Sequence, residues 1–273
     1  MSRKKQALPN GPLVGILAQV HYSPIMQMKE YIPAFQEYVR KNGYPLYHQI
    51  ETEIVRAGPH GKAEKALFEQ WIFSSADTQQ TIFLDSEAIT YQVFDAQSFP
   101  FDTLLQNFIS LVRELDSIVD ISLVSRLGLR YINSIQEKKH ASWKDLVAKE
   151  FQGSSLPTNV AWIDNELRMF SMQRGTVLTD LAINSNFKVT LAQNSSGMKY
   201  PHGIQSFPTT SPIFFEPRSQ VTFLDLDHFV LFTAAAKDDV FDRLLEIFHA
   251  LHSVIADVFF ETMITDEAIQ QWQ

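Results

Sequence analysis

Phe83-Leu84-Asp85, Phe101-Asp102, Leu104-Leu105, Phe108 and Leu111 recur as Phe223-Leu224-Asp225, Phe241-Asp242, Leu244-Leu245, Phe248 and Leu251, all at one ungapped offset of 140 positions. Unrelated segments rarely share so long a spacing, so the chain reads as a tandem duplication. The repeated unit is a strand–turn–strand–helix over 81–111 and again over 221–251. Phe101, Leu104, Leu105, Phe108, Leu111, Val112 and Leu115 form one apolar helical face. Pro100 and Asp102 suit the first turn of that helix. From Asp238 the second copy continues with Phe241, Leu244, Leu245, Phe248, Leu251, His252, Ile255 and Phe259. Phe101, Leu104, Phe108, Phe241, Leu244 and Phe248 are therefore expected in the core. Asp85-Ser86-Glu87 and Asp225-Leu226-Asp227 read as acidic turns between strands, since such residues form turns readily. Paired carboxylates also serve acid–base chemistry, but a duplicated dyad at two places in one sheet is unusual.

Working outward, Val14, Ile16, Ala18, Val20 and Tyr22 alternate as a strand does, with Gln19 and His21 on its other face. Met28, Tyr31, Ile32, Phe35, Tyr38 and Val39 follow at helical spacing, and Asn42-Gly43 ends that helix. Strands are predicted near 46–56, 69–75, 79–84 and 87–95. The second half opens on the strand of Leu127, Leu129 and Tyr131 and continues with a short helix near 142–151. Strands are then predicted near 159–164, 167–173, 177–183, 187–193, 220–225 and 228–235. Each half reads strand, helix, antiparallel strands, helix. The expected fold is α+β, with one curved antiparallel sheet and helices packed on one face. That layout resembles the TATA-binding-protein architecture, a likeness of fold alone. Residues 1–12 are expected to be a flexible basic tail, 13–120 the first repeat, and 121–273 the second with an irregular insertion near 194–220.

The 273 residues are 45% hydrophobic and 20% charged, a balance that suits a packed core and excludes wholesale disorder. Twenty-one Phe make that core strongly aromatic. The absence of Cys removes disulfides, thiolate metal ligands and a Cys nucleophile, and fits a cytoplasmic location. No apolar stretch has the length of a membrane span or follows the basic start as a signal peptide would. A net charge of −8 argues against nucleic acid as a partner.

At Arg126-Leu127-Gly128-Leu129-Arg130-Tyr131-Ile132-Asn133 the sequence resembles the hallmark strand of a sporadically distributed, uncharacterised bacterial protein family. Tyr22-Ser23-Pro24, Trp71-Ile72-Phe73 and Leu251-His252 fit the same resemblance, which spans most of the chain. It implies a cytoplasmic bacterial protein and carries no settled activity.

Few residues mark chemistry. Glu246, His249 and His252 lie at i, i+3 and i+6, and the outer two stand about 240° apart on a helix, so the three cannot converge on a metal. His252 is expected to face the core with its ring bonded locally. His21, His48 and His60 with Glu51 and Glu53 show no metal spacing. Asn194 to Gly197 lacks the pattern of a nucleophile elbow, and Gly61-Lys62 that of a phosphate loop. Arg130 is the charge of interest. It points with Ile132 away from Leu129 and Tyr131, and on a covered face it needs a carboxylate of the chain or a ligand anion beside it. Ile72, Leu84, Phe94 and Phe232 on one face would form a large apolar patch, so the face of Arg130 and Ile132 is expected to be shielded. The insertion, with His202 and the run Ile213-Phe214-Phe215, is the candidate cover.

Arg130, Ile132, His202, Ile213, Phe214 and Phe215 thus form the candidate ligand or partner surface. The expected function is non-enzymatic binding or regulation through protein contacts, with self-association among them and with no catalytic residues, cofactor, metal or membrane. A small anionic ligand in a pocket near Arg130 is the alternative, and an enzyme whose site is not recognisable from sequence is the third reading.

Overall fold

Strand β1 (Leu13–Tyr22) buries Ile16, Ala18, Val20 and Tyr22, as its alternation requires. The structure, a computed structural model, describes residues 8–57, 63–94, 96, 99–136, 142–152, 167–194 and 221–273. Helix α1 (Met28–Lys41) buries Met28, Ile32, Phe35 and Val39, and the chain leaves it through Gly43 at φ +99°, a left-handed position that suits glycine. The strands β2 (Leu46–Ala57), β3 (Ala63–Ser74), β4 (Gln80–Leu84) and β5 (Ala88–Phe94) follow, then helix α2 (Phe101–Val119). The second half runs β6 (Leu123–Gln136), α3 (Trp143–Leu146), β7 (Leu167–Leu178), β8 (Ile183–Asn194), β9 (Val221–Ala236), α4 (Lys237–Phe241), α5 (Leu244–Val258) and α6 (Asp266–Trp272). A Ser142–Asp145 capping box starts α3.

Among the described residues, nine strands form one antiparallel sheet, in the order β2-β3-β4-β5-β1-β6-β9-β8-β7. The first strands of the two halves are therefore neighbours at its centre. Helices α1, α2 and α5 share one core with Ile16, Tyr91, Leu127, Leu129, Leu224 and Val230 on one sheet face. Two small clusters lie on the other face, Ile72 with Phe83 and Ile132 with Val221 and Phe223. Residues 8–12 are tied to the second half: Asn10 N–H donates to the Trp272 carbonyl at 3.0 Å, and Ser134 N–H to the Pro12 carbonyl at 2.7 Å.

Three expectations change. Asp225-Leu226-Asp227 is not a turn but the middle of the continuous strand β9, whereas Asp85 does cap a turn, accepting from the N–H groups of Glu87 and Ala88. Each acid in β9 is met by an arginine of β6, which removes the reason for a carboxylate to seek solvent. The ungapped offset consequently keeps faces at Phe83/Phe223 and Leu84/Leu224 but not through the strand that follows. Ile89 and Tyr91 bury against the helices, while Phe229 lies under Arg126 on the other face and Leu231 is 58% exposed. A slip of one residue turns every side chain of a strand over. The final helix is also broken at Asp242-Arg243, and Leu245 is 51% exposed where Leu105 is fully buried. Last, the strand expected over 177–183 is the end of β7, a turn of 3₁₀ helix (Thr179–Leu181) and the start of β8. The strand expected near 159–164, and 195–220 with His202, Ile213, Phe214 and Phe215, lie outside the described residues.

Leu104, Phe108, Phe241, Leu244 and Phe248 are buried as expected. Phe101 is only partly buried, stacked on His252 with ring centroids 4.1 Å apart.

Candidate functional site

The octet alternates cleanly. Leu127 and Leu129 enter the helix-side core, and Arg126, Gly128, Arg130 and Ile132 stand on the opposite face. Cross-strand register then assembles two parallel rows on that face. One runs Phe83, Thr90, Gln19, Gly128, Phe229. The next runs Gln92, Leu17, Arg130, Asp227. Small side chains at Thr90 and Gly128 make a trough in the first row. A cavity of about 250 Å³ results, lined by Gln19, Gln70, Thr90, Gln92, Arg126 and Arg130, with Leu17, Phe83, Gly128 and Asp227. From Gln70 on β3 to Asp227 on β9 it crosses five inter-strand steps. At about 4.8 Å per step the groove is on the order of 20 Å long and runs perpendicular to the strands.

Arg126 owes its pose to Gly128. A Cβ at Gly128 would come within 2.4 Å of the Arg126 Nη1. Without one, the guanidinium lies flat, donating to Gln19 Oε1 at 2.5 Å and to both Asp227 oxygens at 3.1 Å, with its carbon 4.6 Å from the Phe229 ring centre. Gln19 Nε2 in turn donates to Thr90 Oγ1 at 2.8 Å. Arg130 meets Asp225 through Nε at 2.8 Å and Nη2 at 2.5 Å. The expected carboxylate beside Arg130 is thus an internal one. Burial lowers the Arg126 pKa against the pull of Asp227. Burial raises the Asp227 carboxyl above its ordinary range, against Arg126 and Arg130. Burial also opposes the charge on Arg130, but the Asp225 carboxylate outweighs it and holds that pKa up. His21, cross-strand from Arg126, has its pKa lowered by burial and by that arginine, against Glu87.

Two Arg and two Asp leave this end of the groove neutral. The other end is built of uncharged hydrogen-bonding groups. There Gln70 is only 9% exposed, and its Oε1 is buried with no hydrogen-bond partner among the described residues. Ile132 is 1% exposed, while the Arg130 side chain keeps 28% of its surface; Leu84 and Phe232, expected on one face with Ile72, pack into the helix-side core instead.

The histidines have structural surroundings. Tyr131 Oη and His252 Nδ1 are 2.6 Å apart, His249 Nε2 lies 3.5 Å from Asp102, and Glu246 pairs with Arg243. The three do not meet at a common point. His228 sits between Ser185 Oγ at 3.0 Å and the Leu251 carbonyl at 3.2 Å, a serine–histidine contact closed to substrate because both side chains are buried. Burial lowers the His228 pKa to about 4, against the Leu251 carbonyl.

Sequence reasoning placed Arg130 and Ile132 on one face, where the structure also has them, and gave no part to Gln70, Thr90 and Gln92, which standard strand patterning treats as ordinary polar positions. No protein-family model matches the chain, and no curated protein matches it. No helix among the described residues is long and apolar enough to cross a membrane.

Proposed function

We propose that this is a non-enzymatic binding protein, and that its working surface is the groove across the face of the sheet opposite α1, α2 and α5, which takes an extended segment of another polypeptide. The observation that carries the reading is Gln70. A buried amide oxygen without a partner is costly, and here it lies at a groove rather than inside the core. The length of the groove, on the order of 20 Å, suits an extended chain of about six residues better than a compact metabolite. The resemblance carried by Arg126–Asn133 belongs to the same proposal, since that octet is the strand on which both groove arginines stand. A duplicated origin is proposed with it. What supports duplication is that each half threads a first strand, a helical segment and a meander that returns to pair with the first strand before a helix.

The test is selection of binding peptides from a random displayed library on the folded protein, followed by binding to a Thr90→Trp variant that fills the trough. Selected peptides should lose at least tenfold in affinity for a variant whose melting temperature is unchanged. Peptides that bind both proteins equally would put the working surface elsewhere. A small anionic ligand is the second reading, favoured by Arg130, whose pairing with Asp225 uses Nε and Nη2 and leaves Nη1 outside it. It predicts affinity for free carboxylates or phosphates that falls steeply with salt.

A further inference from the structure

The chemistry of the groove says more about its occupant. We infer that the segment it takes is uncharged and rich in amides, whether from its own backbone or from Asn and Gln side chains, and that acidic segments and nucleic acids are rejected. The inference rests on the groove reading above. Its first support is charge balance. Arg126 and Arg130 would attract an anion, but Arg126 Nη2 already donates to both oxygens of Asp227, and Asp225 holds Arg130 in a bidentate pair. An incoming carboxylate would have to share those guanidiniums with a resident carboxylate beside it, and would gain little. A lysine would face the two guanidiniums.

The second support is the kind of hydrogen bonding on offer. Gln19, Gln70 and Gln92 all line the groove. A carboxamide is both donor and acceptor in one plane, the same pair of functions a peptide group presents. Gln19 shows the limit of what the protein satisfies alone: its oxygen is taken by Arg126 and its nitrogen by Thr90. Gln70 shows the opposite, with Oε1 buried and unpartnered among the described residues. What completes Gln70 is an N–H or O–H donor, which a carboxylate or a phosphate diester lacks and a peptide N–H or primary amide supplies. Third, the apolar walls at Leu17 and Phe83 flank these amides. They fit the methylene stem of a Gln or the Cα of an extended backbone, where the sugars and phosphates of a nucleic acid would be poorly matched.

The experiment uses the peptides selected from the displayed library, made synthetically with blocked ends, and the full-length protein. Their sequences should be enriched in Asn, Gln, Ser and Thr and poor in Asp and Glu. Their Kd should change by less than threefold between 50 and 500 mM NaCl. Gln70→Leu should weaken them at least tenfold while melting no lower than the wild type, because it removes an unsatisfied polar atom. Replacing the amide residues of the peptide with Glu should abolish binding. If groove-dependent peptides emerge that are acidic, and their affinity falls more than tenfold across that salt range, the inference is overturned and the groove reading stands. If no selected peptide distinguishes wild type from Thr90→Trp, the groove reading fails and takes the inference with it.

Discussion

Gly128 and Arg126 act as one device. The absent Cβ lets a guanidinium lie across the strand, where it bridges Gln19 of β1 and Asp227 of β9. Gly128→Ala forces that guanidinium to move and loosens the Nη2 contact to both oxygens of Asp227, whose carboxyl burial already disfavours as an ion. Urea denaturation should register a loss of about 1–3 kcal/mol, the range for charged hydrogen bonds. An unchanged midpoint would show that Arg126 relaxes at no cost. His228 gives a prediction in pH. Its folded pKa of about 4 lies below the ordinary 6.5, so above pH 6.5 it is neutral in both states and contributes no pH dependence. As pH falls below 6.5 the unfolded chain takes up a proton that the folded chain does not, and stability is lost until the folded pKa is reached. Between pH 7.5 and 5 this one group should remove about 2 kcal/mol. His228→Gln, which keeps a donor and an acceptor, should flatten that part of the profile; an identical slope in the variant would refute the assignment. The sequence marked Arg130 as needing a carboxylate but not which one. Asp225 and Asp227 were legible only as turn residues, because their partners lie about a hundred positions away. The parity of Arg126, Arg130, Asp225 and Asp227 on paired strands was the signal that would have joined them.

At the level of elements, the apolar stripe of α2 was readable because its period is unbroken over nineteen residues. Phe108 lies parallel to Tyr91 at 6.4 Å and edge-on to Phe248 at 5.6 Å, joining α2, β5 and α5. Phe108→Ala should cost about 3–5 kcal/mol. In the second half the helix breaks at Asp242-Arg243, and Leu245 leaves the buried face that Leu244, Phe248 and Leu251 keep. A paired substitution makes that visible. Leu105→Lys buries a charge and should unfold or severely destabilise the protein, whereas Leu245→Lys places it in solvent and should change the melting temperature by no more than a degree or two. Equal damage at both sites would restore the strict repeat. The strands failed for a related reason. Asp85 and Asp225 look alike in sequence, but only the first has its carboxylate turned onto the following backbone N–H groups.

On the scale of the whole molecule, the two halves share one sheet and one core, and Lys237 of α4 reaches Asp116 of α2 at 3.0 Å. Unfolding should therefore be a single cooperative transition. Trp71 in β3 and Trp272 at the end of α6 are both buried. Single-tryptophan variants reporting from either should melt together, and separate midpoints would mean that the halves fold independently. The groove belongs to this scale too, since it exists only where β1 and β6 bring the halves side by side. It was invisible in the sequence because no local segment contains it: six strands supply its lining. The most direct measurement is an NMR titration of the glutamine side-chain amides with a groove-selected peptide. The Gln19, Gln70 and Gln92 NH₂ resonances should shift together and saturate at one equivalent, while those of exposed glutamines on the helices stay still. Shifts confined to helix glutamines, with the three groove amides unmoved, would contradict the groove reading.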